Sequence, residues 1–345
     1  MANGSRVVVI GAGISGIACA RALQDAGYTP SVLDRGHRPG GRMASRRLPR
    51  SQGPHAGHIT DIGASYFTAR DPHFQSAVDR LIAAGIVRPW TDAFAVATDG
   101  RITGRRSGPM RYAAPNGLRS VVQALAEGMS VITGSQVSQV RARQDGHLEV
   151  TADGGVDWVD EAVDAAAVCM PGPQAHRLLT GEHPGIEAAQ LAALAHPWEP
   201  VISVSAGFPE VAWEPFDGVF VNDHPTLTWI ADDGARRGNA APVLVAHVAP
   251  ELAATCLDDP QRAAEPAIAA MRRLLQIEAE PAWVDAHRWT FARPTGASAE
   301  PCFLDARLGL GLAGDAWSAG PRVEAAWCSG RALGQQLAAH LDARA

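Results

Sequence analysis

At 345 residues, 46% of them apolar, the chain can bury two cores, and its length suggests about two domains. A formal net charge of -6 and a pI near 6.0 give no reason to expect nucleic acid or an anionic membrane as partner. All 30 basic residues are arginine, which excludes Schiff-base chemistry, pyridoxal catalysis and a P-loop phosphate lysine.

The chain opens with an apolar strand, Val7-Val8-Val9-Ile10, that runs into Gly11-Ala12-Gly13-Ile14-Ser15-Gly16 and then a helix ending near Gly27. This is the pattern of a dinucleotide-binding βαβ unit. Gly11 permits the tight turn, Gly13 lets backbone approach a pyrophosphate, and Gly16 lets the helix pack on the strand, so that phosphate sits on the positive end of the helix. A second strand from Pro30 to Leu33 delivers Asp34, about 20 residues beyond the glycines, where a carboxylate holds ribose hydroxyls. Arg38-Pro39-Gly40-Gly41-Arg42-Met43 then supplies a second glycine pair flanked by arginines, close enough to close over the same pyrophosphate. In this it resembles flavoproteins of the amine-oxidase superfamily. The arginine run continues through Arg46, Arg47 and Arg50, in a long Arg/Pro/Gly/His loop over 47–57.

Asp61-Ile62-Gly63-Ala64 reads as a strand end, followed by Ser65-Tyr66-Phe67-Thr68-Ala69-Arg70-Asp71. The spacing of Phe74, Val78, Leu81 and Ile82 predicts a helix over 72–85, capped near Asp71. A helix is expected over 118–126, then strands near 130–133, 136–143 and 147–151, read as a meander, and a buried parallel strand at Ala165–Met170. From 197 to 250, short strands rich in Val, Ile, Phe and Trp predict an antiparallel sheet, followed by a helix over 260–278 and a strand over 282–292. An apolar strand from Leu308 to Ala313 ends at Gly314-Asp315, and Gly320-Pro321-Arg322-Val323-Glu324 opens a last helix with Pro321 in its first turn. Its positive end would stabilise negative charge on a bound cofactor. Cys19, Cys169, Cys256, Cys302 and Cys328 show no metal-ligand spacing and read as reduced thiols, so no metal is expected. With no apolar run long enough to span a membrane, a cytoplasmic location is expected.

The order of Gly11–Gly16, Gly40-Gly41-Arg42-Met43, Asp61–Ala64, Tyr66–Asp71, His287-Arg288-Trp289, Ala292-Arg293-Pro294, Gly314-Asp315 and Arg322-Val323-Glu324 resembles the renalase family in its bacterial form. The resemblance covers nearly the whole chain. It implies an α/β fold: a Rossmann-like FAD-binding domain of the glutathione-reductase/p-hydroxybenzoate-hydroxylase type, interleaved with an antiparallel-sheet substrate domain. The first would span 1–70, 117–175 and 295–345, the second 71–116 and 176–294. It also implies a noncovalent FAD oxidase of 2- and 6-dihydro isomers of NAD(P)H, with O2 as acceptor and hydrogen peroxide as product. The expected cofactor contacts are Gly11, Ala12, Gly13, Ser15, Gly16, Asp34, Arg35, Gly41, Arg42, Met43, Gly63, Ala64, Val137, Gly314, Asp315, Arg322, Val323 and Glu324.

A dihydropyridine needs no strong base, only a flat apolar slot, for which Tyr66, Trp229, Trp289 and Trp317 are candidates. Tyr66, Trp289 and His247 are the catalytic candidates. His247 reads either as a satisfied core histidine or as a donor to the carboxamide or the cofactor. Arg293, and with less support Arg236 and Arg237, are candidates for the substrate pyrophosphate, although the last two also read as solvated loop arginines. Ser65 stands where relatives carry a larger amide, and Asn116 interrupts a Pro-Gly pair, which leaves substrate detail open. Two alternatives stay open: a flavin amine oxidase or desaturase acting on a biosynthetic intermediate, and a binding protein that kept the fold without catalysis. The missing lysine, which many flavin amine oxidases place beside the reactive flavin nitrogen, counts against the first. The oligomeric state is not set by the sequence.

Overall fold

The computed structural model describes residues 4–48, 56–153, 161–296, 298–317 and 320–344. The chain forms two compact units, each assembled from separated stretches: Met1–Gly41, Val122–Trp198 and Pro294–Ala345 make the first, and Arg42–Val121 with Glu199–Arg293 the second. These differ from the expected domains chiefly at 42–70 and 176–198. Strands Ser45–Arg47 and Ile59–Asp61 pair with each other, and Asp61 bonds Leu118 within the second unit, while helix Pro184–Ala193 packs its Ile186 and Ala189 into the core of the first.

The first unit is built on a six-stranded sheet in the order Phe303–Asp305, Leu310–Leu312, Ala165–Val168, Val7–Ile10, Ser31–Asp34, Ser130–Thr133. All neighbours are parallel except the first pair. Strands Val7–Ile10 and Ala165–Val168 are buried at every position, as expected for parallel strands covered on both faces. Helix Ile14–Asp25 lies against the last helix, Val323–Asp342, through glycines. A Cβ on Gly330 would stand 1.9 Å from Ser15 O, and one on Gly334 2.4 Å from Cys19 O.

The expected meander is two structures. Ser130–Thr133 joins the parallel sheet, while Gln136–Ala142, Leu148–Asp153 and Glu161–Val163 form a separate antiparallel sheet. The cause is the turn between them: Gly134 (φ 70°) and Ser135 donate to Gly36 O and Asp34 O, which fastens the preceding strand beside Ser31–Asp34. The last helix begins at Val323 with Arg322 as N-cap, so Pro321 precedes the helix instead of opening its first turn.

The second unit carries a seven-stranded sheet in the order Trp283–Pro294, Trp198–Gly207, Val243–Val248, Leu227–Asp232, Gly218–Val221, Arg88–Thr98, Arg101–Ala113. Helix Ala264–Leu275 puts Ala267, Ile268, Met271, Leu274 and Leu275 on one face, at helical spacing, against sheet residues Ile202, Val204, Ile230 and Leu244. The hairpin of the last two strands was not anticipated. Its signal was the Asp99-Gly100 pair, whose φ values of 51° and 72° are those of a tight hairpin turn. Helix Pro72–Ala83 starts as expected, with Asp71 accepting from the backbone N–H groups of His73 and Phe74. Among the described residues no helix is long and apolar enough to cross a membrane, and no group of three or more His, Cys, Asp or Glu is placed to hold a metal ion.

Candidate functional site

In the first unit, the residues after strand Val7–Ile10 form an anion cradle. Gly11, at φ 104°, turns the chain so tightly that a Cβ there would stand 2.5 Å from Cys169 O. Gly13 caps helix Ile14–Asp25 with no side-chain hydrogen bond, and the buried Ser15 hydroxyl has no hydrogen-bond partner among the described residues. The first-turn N–H groups, the positive end of the helix dipole and this hydroxyl are the donor set that a pyrophosphate needs. Gly41, at φ 52°, approaches until a Cβ on it would lie 3.1 Å from Gly13 Cα, and Gly40 N donates to Ala12 O at 2.9 Å. Asp34 holds this loop to the second strand: Oδ2 accepts from Ala12 N at 2.6 Å and Oδ1 from Gly36 N at 2.7 Å. Each oxygen keeps acceptor capacity for a hydroxyl. The residues fit a dinucleotide.

Elsewhere in this unit, Arg35 and Arg322 are exposed, Val323 and Glu324 open the last helix, and Val137 is core. Gly314 donates its N–H to Ser329 Oγ at 3.0 Å. Buried Asp315 and Trp317 line a pocket with Met170, His196, Trp198 and Leu312.

In the second unit, the segment 62–66 is fixed by bonds from four directions. Ala64 N donates to Arg42 O at 2.9 Å, and a Cβ on Gly63 would meet that same carbonyl at 2.0 Å and the Trp289 ring at 3.4 Å. Trp289 Nε1 donates to Ile62 O at 2.5 Å, and its ring meets His287 edge-on with centroids 4.7 Å apart. Trp229 Nε1 donates to Ser65 Oγ at 3.0 Å, and Arg236 Nη1 to Ser65 O at 3.0 Å. Met43 is buried beside Arg42, whose Nη1 donates to Ala292 O at 2.8 Å. Tyr66 emerges from this segment into an aromatic cluster, with centroids 5.6 Å from Trp229, 5.1 Å from Phe94 and 6.4 Å from Trp90. Phe220 closes the group at 5.0 Å from Trp229.

Beneath it lies a buried ion network. Helical spacing brings both Arg236 and Arg237 back to one carboxylate, Asp233, at i+3 and i+4. Arg237 also meets Asp61 Oδ2 at 3.0 Å, and His58 Nε2 lies 2.9 Å from Asp233 Oδ2. Burial opposes the Asp233 charge, but Arg237 and Arg236 outweigh it and hold the carboxyl far below the usual range. Arg236 and Arg237 are therefore neither solvated loop arginines nor free for a ligand, which corrects both sequence readings of them. His247 is half-buried opposite Trp229 in the sheet, hydrogen-bonded to the Gly63 backbone. Burial first, then Arg236 and Arg293, lower its pKa to about 4, so the ring is uncharged at neutral pH.

A family model described as flavin containing amine oxidoreductase matches residues 82–337, and one described as an NAD(P)-binding Rossmann-like domain matches residues 9–81. The chain belongs to the flavin-containing amine oxidoreductase family. It is 29% identical over 254 residues to renalase from Mus musculus, a match spanning 68% of this chain and 67% of that protein. Cyclohexylamine oxidase from Brevibacterium oxydans shares the fold with a TM-score of 0.73 at 13% identity, over 98% of this chain and 99% of that one. Putrescine oxidase bound to putrescine does so with a TM-score of 0.68 at 15% identity, over 99% of both chains. As a member of this family, the protein is an oxidoreductase with FAD as cofactor.

Of the four slot aromatics expected in this flavin oxidoreductase, Tyr66 and Trp229 share one cluster, Trp289 sits on Gly63, and Trp317 belongs to the first unit. Arg293 is engaged by Glu199 at 2.9 Å. Much of the N-terminal arginine run is committed as well: Arg21 to the Leu125 and Glu127 carbonyls, Arg46 to Asp285, Arg47 to Gly57 O. Arg50 and the centre of the 47–57 loop lie outside the described residues. Sequence reasoning missed Trp90, Phe94, Phe220 and Arg111. Trp90 and Phe94 stand four apart on one strand, but register shifts at Pro89/Thr91 and Thr91/Ala93 break the alternation that would have paired them.

Proposed function

We propose that the protein oxidises the 2- and 6-dihydro isomers of NAD(P)H: isomer, O2 and one proton give NAD(P)+ and H2O2. The observation that carries this reading is an aromatic cluster in which half-buried Tyr66 is backed by buried Trp229 and Phe94, accompanied by an uncharged histidine, in a chain without lysine. A dihydropyridine regains aromaticity when its hydride leaves, so the protein has to stack the ring and exclude water, and needs no base to strip a proton. The renalase resemblance supports the same substrate class.

FAD, when bound, supplies the two-electron acceptor and passes the electrons to O2. The first-turn backbone after Gly13, the Ser15 hydroxyl and Gly41 would hold its pyrophosphate and Asp34 its ribose, while Gly11, Ala12 and Gly16 shape the loop by packing on Cys169 O, bonding Asp34 and Gly40, and packing on Gly11 O. Neutral His247, with Gly63 on its ring and Trp229 opposite, presents a hydrogen-bonding edge to an uncharged carboxamide. Ser65, clamped by Arg236 and Trp229, fixes the backbone on which Tyr66 stands.

The test is anaerobic stopped-flow mixing of the holoenzyme with 2- and 6-dihydro-NAD, ordinary NADH and a panel of amines, monitored at the oxidised flavin band. Rapid bleaching by the two isomers alone is expected. Bleaching by an amine would transfer the protein to the amine-oxidising reading, and bleaching by none of these would reject the substrate class.

A further inference from the structure

We propose that Arg111, seated on the buried Phe94 ring, binds the phosphate of a nucleotide in a subsite bordered by Trp90, a proposal that rests on the dinucleotide reading above. Strand Arg101–Ala113 is exposed over its first ten residues and then turns inward, leaving Arg111 only 7% exposed. Its Nη1 is buried, and among the described residues the guanidinium has neither a hydrogen bond nor a salt-bridge partner. What it has is an aromatic face: Cζ lies 4.4 Å from the centroid of Phe94. A cation–π contact attracts a guanidinium but does not offset the removal of a full charge from water, so a site of this kind calls for a counter-ion.

The surroundings select the anion. Trp90 Nε1 is also buried without a partner, and its ring packs on the same Phe94 at 5.2 Å, so two unsatisfied donors flank one ring. An acceptor-rich anion would meet this positive, donor-lined surrounding, and the Nε/Nη2 edge of the guanidinium, which is not among the buried unpartnered atoms, matches phosphate in a bidentate manner. Gly108 makes room beside it, since a Cβ there would stand 2.8 Å from Nη2. Trp90, half-buried and tilted against the fully buried Phe94, offers a ring face to a planar base. Arg293, the sequence candidate for phosphate, already has Glu199 as its counter-ion, whereas Arg111 has none among the described residues.

The experiment titrates ADP, AMP and inorganic phosphate into holoenzyme, in which FAD fills the adenosine cradle, and follows binding by calorimetry in the parent, Arg111→Gln, Arg111→Lys and Trp90→Phe. ADP is expected to bind the parent and to weaken ~10-fold or more in Arg111→Gln, with a smaller loss in the two conservative variants. The KM for a dihydro-NAD isomer is expected to rise in Arg111→Gln with kcat nearly constant. Equal ADP affinity in parent and Arg111→Gln, or no binding to the parent, overturns the proposal. Inorganic phosphate binding as tightly as ADP overturns the nucleotide assignment. If ADP binding depends on Arg111 but no isomer bleaches the flavin, the subsite stands and the substrate reading falls. Equal KM and bleaching rate with the isomers in both proteins would have the reverse meaning. Should Arg111→Gln lose its flavin or its fold, Arg111→Lys and Trp90→Phe carry the same comparison.

Discussion

Asp34 ties a ligand-facing loop to the sheet with the same carboxylate that would hold a ribose, through Ala12 N and Gly36 N. Asp34→Ala therefore loses both the hydroxyl acceptor and the tether. FAD should bind ~10- to 100-fold more weakly, the value of one or two charge-assisted hydrogen bonds, and flavin content after dialysis measures it. Unchanged retention would remove Asp34 from the site. Trp289 is of a different kind. Its Nε1 holds Ile62 O and its ring covers Gly63, so Trp289→Ala should slow anaerobic flavin reduction more than it lowers FAD affinity, with Trp289→Phe intermediate. Equal reduction rates would make it core. The glycine loop and Asp34 were legible in the sequence because their contacts are local and use backbone. Arg111, Trp90 and Phe220 were not, because a buried unpaired charge and a converging set of rings are properties of side chains brought together from distant strands.

Between elements of the first unit, helices Ile14–Asp25 and Val323–Asp342 approach closely, and the approach depends on the absence of side chains. Gly330→Ala would drive a methyl into Ser15 O, 1.9 Å from the ideal Cβ, and neither helix can yield alone because each is packed against the sheet. The expected cost is about 1–3 kcal/mol, with some loss of flavin because Ser15 lies in the cradle. Gly104→Ala, where a Cβ meets nothing within 4 Å, is the control and should change Tm little. Equal melting temperatures for parent and Gly330→Ala would show that the helices have room to part. The hairpin of Arg88–Thr98 and Arg101–Ala113 and the short helices Gly172–Leu178 and Pro184–Ala193 were not readable, whereas several strands and helices were, from apolar period and caps, as at Asp71. Pairing partners were less so: the strand 130–133 carries no mark of which sheet will take it, and that was settled by backbone bonds from Gly134 and Ser135. Pro321 misled for a related reason, since the same residue suits a first helical turn or the extended approach to it.

For the whole molecule, the buried titrating groups set the direction in which stability moves with pH. His247 has its pKa depressed to about 4 from an ordinary 6.5, by burial and then by Arg236 and Arg293. Between these values the unfolded chain binds a proton that the native protein refuses, so stability is fully present above pH 6.5 and falls as pH is lowered toward 4. His287 and His340 are lowered too, both by burial first, and act with the same sign. Asp233 does not contribute in this window. Its carboxyl is held far below the usual range, so its stabilisation is lost only in stronger acid. Urea unfolding of holoenzyme at pH 7.5, 6, 5 and 4.5 should therefore show a progressive loss, of which His247 accounts for at most about 3 kcal/mol. His247→Gln removes the titrating ring while keeping a hydrogen-bonding side chain, so its profile over the same range should be distinctly flatter than the parent's. Parallel profiles would mean that the ring takes up its proton without strain, contrary to two nearby guanidiniums. The neutral edge assigned to it toward a carboxamide would then have to come from another group.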